Sequence, residues 1–331
     1  MTRNKAKIAV VIPCFRVSQQ ILSVIDSIGN EVTQIYVVDD CCPQKSGHLV
    51  KEYINDNRVK VIFLQKNKGV GGATIAGIYQ AIADGATVIV KVDGDGQMDV
   101  DIIPIFVNPI LHREADYTKG NRFFNLDGLQ SMPLLRLMGN IGLSFLSKLS
   151  SGYWNINDPT NGFFAINANV ASVIPWEKID KRYFFESDIL FQLNIIQAKV
   201  FDIPMKAVYG DENSNLNPWK ELPYFFIRHL QNLSKRIFYC YILRDFNIAS
   251  IELLLSLPLL IFGTIYGINH WTFTSPTASA GTVMVAALPL IIGLQLFLAF
   301  LNYDIQSVPK ISLQKRVDML NSLIIYCNQK K

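Results

Sequence analysis

Two aspartates, Asp93 and Asp95, stand one residue apart in the stretch VDGDGQMD, directly after the apolar run ATVIVK. The run is short and rich in β-branched residues, which is typical of a buried strand. Side chains two residues apart on a strand share a face, so we expect the two carboxylates to point the same way. Neighbouring carboxylates repel each other unless a cation lies between them or one is protonated. The spacing leaves three candidates: a metal site, a proton-sharing pair or an ordinary acidic turn.

The elements that would position these aspartates alternate through the first half of the chain. Short runs that read as strands are separated by helix-length segments, and they lie at residues 8–13, 34–40, 59–65 and 86–93. This alternation is typical of an open, mostly parallel α/β sheet, whose ligands bind at the carboxyl ends of the strands. Those ends carry chemically capable residues: Pro13, Asp39, Asp40, Asp93 and Asp95.

In such a sheet, an acidic side chain after an early strand can accept a hydrogen bond from a base or ribose. A D-x-D pair after a later strand can hold a divalent ion. A hard cation with oxygen ligands, Mg²⁺ or Mn²⁺, would bridge Asp95 and a diphosphate. D-x-D alone is a weak signal, and its place after the fourth strand gives it weight.

The second half of the chain contains two long apolar stretches, residues 248–268 and 281–301. Each is long enough to cross about 30 Å of hydrocarbon as a helix. The chain of 331 residues is 50% hydrophobic with a mean hydropathy of +0.23, which is high for a soluble enzyme. A buried core hairpin is the alternative, but two such lengths in succession favour a membrane-spanning pair.

Basic residues flank this pair, whereas the linker NHWTFTSPTASA contains no Lys or Arg. The flanking residues are Lys235, Arg236 and Arg244 before the pair and Lys310, Lys315 and Arg316 after it. By the positive-inside rule, both ends of the hairpin face the cytoplasm. The aromatic and basic segment 219–247 is predicted to form amphipathic interfacial helices, with a core helix as the alternative. The modest net charge of +4, without an aromatic-basic array, argues against nucleic acid as a partner.

A set of segments in fixed order connects these patterns. It comprises VVIPCF, VVDD, KNKGVGGATIAGI, DGDGQ, GNR, DPTNGF, FFESDILFQLN and IPMKAVYGDENSNL. The set resembles family 2 glycosyltransferases of GT-A fold, and among them the dolichyl-phosphate or polyprenyl-phosphate sugar synthases. DGDGQ matches the family's DxDxQ, and DPTNGF matches its Asp-Pro-Thr-Ser-Gly-Phe. The resemblance covers about residues 7 to 220, and bacterial members add two C-terminal spanning helices.

The resemblance implies an α/β, Rossmann-like GT-A domain with a mostly parallel sheet, and it assigns roles to particular residues. The catalytic set would be Asp95, Arg122, Arg136 and Asp188. The nucleotide-sugar-binding set would be Pro13, Asp39, Asp40, Asp93 and Gln97, and the metal ligands would be Asp93 and Asp95. Structural readings stay open beside these roles: an aspartate can end a strand or cap a helix, and Arg136 can face lipid headgroups.

The chain departs from the family pattern on the nucleotide and phosphate sides. The usual Tyr-Asn-Glu after the first strand is replaced by Phe15, Arg16 and Val17, so the base is not indicated. Two familiar phosphate-binding cations are also replaced, one of them by Phe164. Lys119, Lys206 or basic residues of the interfacial helices are expected to take over.

The implied activity is inverting transfer of a sugar from a nucleotide-diphosphate donor to polyprenyl (undecaprenyl) phosphate, for cell-envelope polysaccharide. The acceptor phosphate is mostly a dianion at pH 7 and needs no general base. One alternative is transfer to a glycan hydroxyl, with Asp188, or Glu186, as general base. Another is a non-catalytic membrane scaffold. The implied place is the inner membrane with a cytoplasmic catalytic domain, and the implied assembly is a homo-oligomer, with a tetramer as the candidate state.

These patterns predict four parts of the chain. They are a GT-A catalytic domain at 1–218, amphipathic interfacial helices at 219–247, a transmembrane hairpin at 248–303 and a cytoplasmic C-terminal tail at 304–331.

Overall fold

The computed structural model describes residues 6–124, 134–206, 218–272 and 278–320. Two compact units emerge from its contacts. The first combines Met1–Asn232 with Pro309–Lys331, and the second is Leu233–Val308. The four-part division expected from the sequence stays a prediction.

Within the described residues, the first unit contains a seven-stranded sheet. Its strands are β1 (Ile8–Cys14), β2 (Gln34–Asp39), β3 (Val59–Phe63), β4 (Val88–Lys91), β5 (Tyr117–Asn121), β6 (Phe164–Asn167) and β7 (Val200–Pro204). The spatial order is β3-β2-β1-β4-β6-β5-β7. Strand β6 runs antiparallel to β4 and β5, and the other pairs are parallel. The mostly parallel α/β sheet expected from the sequence is confirmed.

The helices of the described residues follow in chain order. They are α1 (Ile21–Asp26), α2 (Ser46–Tyr53), α3 (Gly69–Ala83), α4 (Ile103–Leu111), α5 (Leu134–Ser151), α6 (Ala168–Val173), α7 (Phe185–Ile195), α8 (Pro218–Ile237), α9 (Ile248–Thr272) and α10 (Ala280–Gln306). A π-helical segment, Phe238–Arg244, follows α8.

The central strands are buried on both faces, as expected for a parallel sheet covered by helices. All residues of β1 are buried, and α3 lies against β1 and β2. The approach of α3 is close because Gly77 faces the sheet: a Cβ there would stand 2.3 Å from Cγ1 of Val11. A small residue at this point therefore sets the spacing between helix and sheet.

The second unit contains α9 and α10, which have 25 and 27 residues. At 1.5 Å per residue they are about 38 and 40 Å long, enough to cross the hydrocarbon core of a bilayer. The predicted apolar stretches lie inside them. Glycines bring the helices together, since a Cβ at Gly263 would stand 2.8 Å from Cγ of Leu290. Small residues at the crossing are typical of helix pairs in membranes.

A buried ion pair joins the end of α8 to the last part of α10. The guanidinium of Arg236 donates to both carboxylate oxygens of Asp304, at 2.6 and 3.0 Å, and Tyr241 donates its hydroxyl proton to the same carboxylate. The pair satisfies the charge of Asp304, which is fully buried.

We expect Gly77→Ala to destabilise the first unit, because its Cβ would overlap Val11. Overpacking of this kind costs about 1–3 kcal/mol, and each kcal/mol lowers the melting temperature by about 2–4 °C in a unit of this size. Gly142→Ala is the matched control, since a Cβ at Gly142 meets nothing within 4 Å. Thermal melting of the two purified variants would be compared with that of the wild type. A wild-type melting temperature for Gly77→Ala, like that expected for Gly142→Ala, would contradict the packing argument.

Candidate active site

A cleft of about 530 Å³ opens at the carboxyl ends of β1, β2 and β4. The predicted site residues that line it are Pro13, Asp40, Asp93 and Asp95. Four others are described but are not among its lining residues: Asp39, Gln97, Arg122 and Asp188. Arg136 belongs to α5, and its side chain lies outside the described residues. The structure thus gathers three predicted carboxylates and Pro13 in one cleft.

The two aspartates of the DGDGQ motif are placed by a turn. Strand β4 ends at Lys91, two residues before Asp93. The prediction that Asp93 and Asp95 lie on one face of a strand is therefore wrong. Gly96, at φ +75°, shapes the turn, and the backbone N–H of Gln97 donates to Oδ1 of Asp95 at 3.0 Å. Gln97 therefore contributes to this turn through its backbone.

A cluster of buried charges underlies Asp93. The ammonium of Lys91 is 2.6 Å from Oδ1 of Asp93 and 3.6 Å from Oε1 of Glu186. Burial opposes the charge on Lys91, but Asp93 and Glu186 outweigh it and raise the pKa of Lys91. Burial also raises the pKa of Glu186, against the attraction of Lys91 and Lys119. The cleft wall therefore carries a carboxylate held by an internal cation.

Lys119, expected as a replacement phosphate-binding cation, is fully buried. Its ammonium donates to the carbonyl oxygen of Asn161, and burial lowers its pKa to about 8. A side chain sealed in this way is poorly placed to meet a ligand. That expectation is therefore not supported.

The DPTNGF motif closes over the same region. Asp158 is fully buried and accepts from Nε and Nη2 of Arg122 at 2.7 and 3.0 Å. A Cβ at Gly162 would stand 2.3 Å from Nζ of Lys91 and 2.6 Å from Oδ2 of Asp93. Arg122 is thus bound to the motif in a bidentate pair, and glycine is required where the loop crosses the ion pair.

The paired aspartates after β2 hold the loops beside the cleft. Asp39 accepts from the backbone N–H groups of Cys42 and Gly47, both at 2.7 Å. Asp40 accepts from the N–H groups of Lys68 and Gly69 at 2.6 and 2.8 Å. Burial raises the pKa of Asp40, and these N–H groups partly offset the rise. Asp39 supports the loop, whereas Asp40 also faces the cleft.

Asp188 is buried on α7, and donors surround it. Its Oδ2 accepts from Nη2 of Arg228 at 2.6 Å and from the N–H of Asp180 at 2.9 Å. Its Oδ1 accepts from Nδ2 of Asn232 at 2.6 Å. A carboxylate bound on both oxygens and set back from the cleft favours a structural role over proton abstraction.

Comparison with known proteins decides the family. Residues 9–174, half of the chain, match the model described as glycosyl transferase family 2. The chain belongs to this family. It is 31% identical over 218 residues to the UDP-N-acetylglucosamine–dolichyl-phosphate N-acetylglucosaminyltransferase of Methanococcus voltae, covering 62% of this chain and 86% of that protein. It is 26% identical over 235 residues to the dolichol-phosphate mannosyltransferase of Pyrococcus furiosus, covering 69% of this chain and 64% of that protein.

Solved structures support the fold of this family 2 glycosyltransferase. Glucosyl-3-phosphoglycerate synthase from Mycobacterium tuberculosis, in complex with Mn²⁺, UDP and glucosyl-3-phosphoglycerate, has a TM-score of 0.51 at 16% identity. The match covers 70% of this chain and 80% of that one. The GT-A-like fold expected from the sequence is confirmed.

The donor set fits a cation that substrate oxygens complete. Among the described residues, no group of three or more His, Cys, Asp or Glu side chains is placed to hold a metal ion. Of the three carboxylates that line the cleft of this glycosyltransferase, Asp93 and Asp95 stand one residue apart on the same turn. Mg²⁺ and similar ions bind through one or two carboxylates together with phosphate oxygens. The residues present fit such an ion, and Asp93 and Asp95 as its ligands stay a prediction.

Sequence reasoning missed Lys91 and Glu186 as partners. Lys91 sits inside an apolar strand, where a lysine is rarely fully buried unless it is paired. A lysine at this position therefore indicates a buried carboxylate partner, which could be sought among the acidic residues near the strand ends. Glu186 lies 95 residues further along the chain, and no local pattern connects it to Lys91.

We expect Gly162→Ala to impair transfer strongly, because its Cβ would displace the ion pair of Lys91 and Asp93. A misplacement of about 1 Å near the reacting centre costs about 10²-fold in rate. Turnover and Mn²⁺-dependent nucleotide binding would be measured beside Gly142→Ala. Wild-type values for Gly162→Ala would contradict the role assigned to this ion pair.

Asp202 provides a test of stability against pH. Burial raises its pKa from 3.8 to about 6, and its Oδ1 has no hydrogen-bond partner. The folded chain therefore binds more protons than the unfolded chain between these values, so stability falls as the pH rises through this window.

Asp202→Asn stays neutral. We therefore expect its free energy of unfolding to exceed that of the wild type by about 2–3 kcal/mol at pH 7, so that it melts at a higher temperature. This difference should disappear near pH 4. Exposed Asp101→Asn is the control. A pH-independent difference for Asp202→Asn would contradict the assignment.

Proposed function

We propose that this glycosyltransferase moves a sugar from a nucleotide-diphosphate donor to polyprenyl phosphate at the cytoplasmic face of the inner membrane. One observation carries the proposal: the chain that forms an acidic cleft at its strand ends continues into two helices long enough to cross a bilayer. A soluble donor can enter the cleft if a divalent ion offsets its charge, and a lipid acceptor would account for the apolar helices. The named relatives that act on dolichyl phosphate support this assignment.

The chemistry asks the protein to bring two polyanions together. Asp93 and Asp95 would hold Mg²⁺ or Mn²⁺, which offsets charge on the departing diphosphate. A phosphomonoester is mostly a dianion at pH 7, so one of its oxygens can attack the anomeric carbon directly. The bond from that carbon to the diphosphate breaks as the new bond forms, and the configuration inverts. The bound state of Asp188 is compatible with this route, because no base is required.

The order of the chain segments supports a location of the whole first unit on one side of the membrane. Residues before and after the hairpin, Met1–Asn232 and Pro309–Lys331, belong to the same compact unit. Two crossings return the chain to the side from which it left. The basic flanks favour the cytoplasm for that side, by the positive-inside rule. A tail that folds with the catalytic domain is thus compatible with a two-helix hairpin.

The interfacial role of α8 is supported by its exposed surface. Large apolar side chains are exposed along its described part: Leu222, Tyr224, Phe226, Ile227 and Leu230. Lys235, in its last turn, is an exposed basic residue. An apolar face with a nearby basic residue suits the headgroup region of an anionic membrane.

The deciding experiment is a labelled-sugar transfer assay on the full-length protein in detergent. Donors would include UDP- and GDP-sugars, acceptors would include undecaprenyl and dolichyl phosphates, and Mg²⁺ and Mn²⁺ would be compared with EDTA. We expect Asp95→Asn to lower transfer about 10²-fold or more, because it removes a ligand of the divalent ion that would stabilise the charge of the departing diphosphate. Asp101→Asn, an exposed carboxylate nearby, is the matched control.

Asp188→Asn separates the two transferase readings. If lipid phosphate attacks directly, a folded Asp188→Asn variant keeps most of its lipid product. Its melting temperature must be checked, since it loses the ion pair with Arg228. Absence of lipid product with every donor, together with Asp188-dependent transfer to a glycan, would mean that Asp188 is a base and the lipid-phosphate proposal is wrong.

A further inference from the structure

The cleft at the carboxyl ends of β1, β2 and β4, called the donor cleft from here on, contains one basic side chain that no sequence motif indicated. Among its described lining residues, the acidic side chains are Asp40, Asp93 and Asp95, and the basic side chain is that of Arg182. A diphosphate entering an acidic cleft meets repulsion that a divalent ion relieves in part. Arg182 is therefore the protein's own positive charge on the wall of this cleft.

Arg182 is an exposed residue. Within the described part of the chain, no carboxylate oxygen is recorded within 4.0 Å of it, whereas Arg122 and Arg228 each hold an aspartate. Its stem lies beside Gly69, where a Cβ would stand 3.2 Å from Cγ of Arg182 and 2.5 Å from the carbonyl oxygen of Lys181. Gly69 has φ +79° and can adopt this backbone without strain.

The backbone that presents Arg182 is fixed on both sides. The carbonyl oxygen of Lys181 accepts from the N–H groups of Gly71 and Gly72 at 3.0 and 3.3 Å. The N–H of Arg182 donates to Oδ1 of Asp180 at 2.7 Å, and its carbonyl oxygen accepts from Phe185 at 3.2 Å. An exposed arginine on such a rigid segment loses little freedom when it binds an anion.

Helix α8 holds the same segment from the opposite side. Tyr224 donates its hydroxyl proton to Asp180, and Arg228 and Asn232 bind Asp188. Asp188 in turn accepts from the N–H of Asp180. A continuous set of hydrogen bonds therefore runs from α8, through Asp188 and Asp180, to the residue that faces the cleft.

We propose that Arg182 binds a phosphoryl group of the donor diphosphate, and that Tyr224 on α8 positions Arg182 through Asp180. The inference rests on the proposed function and names the side chain that replaces a phosphate-binding cation missing from the sequence pattern. A planar guanidinium suits this task because it can donate two parallel hydrogen bonds to phosphate oxygens. Arg122 and Lys119 are engaged elsewhere, with Asp158 and the carbonyl oxygen of Asn161.

The test measures calorimetric binding of UDP and GDP, and of uridine and guanosine, to the full-length protein with Mn²⁺. We expect Arg182→Gln to weaken nucleoside diphosphate binding about tenfold or more, as loss of a charged hydrogen bond does, and to leave nucleoside binding unchanged. Lys181→Gln is the matched control, because it removes the same charge one residue away, from a side chain that is not among those lining the cleft.

The acceptor arm measures KM for undecaprenyl phosphate in the same variants. A raised KM with unchanged diphosphate affinity would assign Arg182 to the acceptor phosphate and overturn the donor assignment. Unchanged values in both arms would overturn any phosphate-binding role. A wild type that binds neither nucleoside diphosphate would instead refute the proposed function, and the inference would fall with it.

A double-mutant cycle tests the positioning step. Tyr224→Phe removes the hydroxyl that holds Asp180, so we expect it to weaken diphosphate binding about threefold in the wild-type background. In the Arg182→Gln background it should have no further effect, because coupled residues are not additive. Equal effects in both backgrounds would show that Tyr224 acts on general stability and would overturn the positioning role.

Discussion

A buried ammonium group persists in a folded protein when carboxylates satisfy it, and Lys91 meets this condition beneath the donor cleft. Asp93 lies on one side of it and Glu186 on another, and Gly162 leaves the space that its Nζ occupies. The site depends on this charge. Without it, Asp93 and Glu186 would be two neighbouring carboxylates that repel each other with no cation between them. With it, Asp93 is held at the cleft wall.

The same constraint explains why the DPTNGF loop has its sequence. Asp158 is buried because Arg122 covers it with two parallel hydrogen bonds, and Asn161 offers its carbonyl oxygen to Lys119. Gly162 then crosses the ion pair of Lys91 at a distance that no side chain would allow. Asp158, Asn161 and Gly162 thus each meet a charged side chain that lies in β4 or in or directly after β5. The DPTNGF motif therefore covers the site with residues that bind its charged side chains or leave space for them.

The sequence predicted what depends on local pattern. Apolar runs predicted β1 to β4 and both long helices, and strand-end position predicted Asp40, Asp93 and Asp95 at the cleft. It could not predict pairings across long stretches of chain. Arg122 meets Asp158, and Asp188 meets Arg228, only because tertiary packing brings them together. The turn that carries Asp93 and Asp95 was also missed, because Val92 continues the apolar pattern beyond Lys91, where the pairing of β4 with β1 ends.

Asp188 shows how tertiary contacts bear on a role that the type of an acidic residue leaves open. Its two oxygens bind a guanidinium, an amide and a backbone N–H, and two of these donors come from α8. A residue used in this way makes α8 part of the wall that supports the donor cleft. Since α8 also exposes apolar side chains suited to a lipid surface, a change in how the helix meets the membrane would reach residues 180–188 through a short chain of hydrogen bonds. Coupling between two sites requires differential contacts of this kind, which both sites can bias. The segment 180–188 therefore connects α8 to the wall of the cleft that carries Arg182.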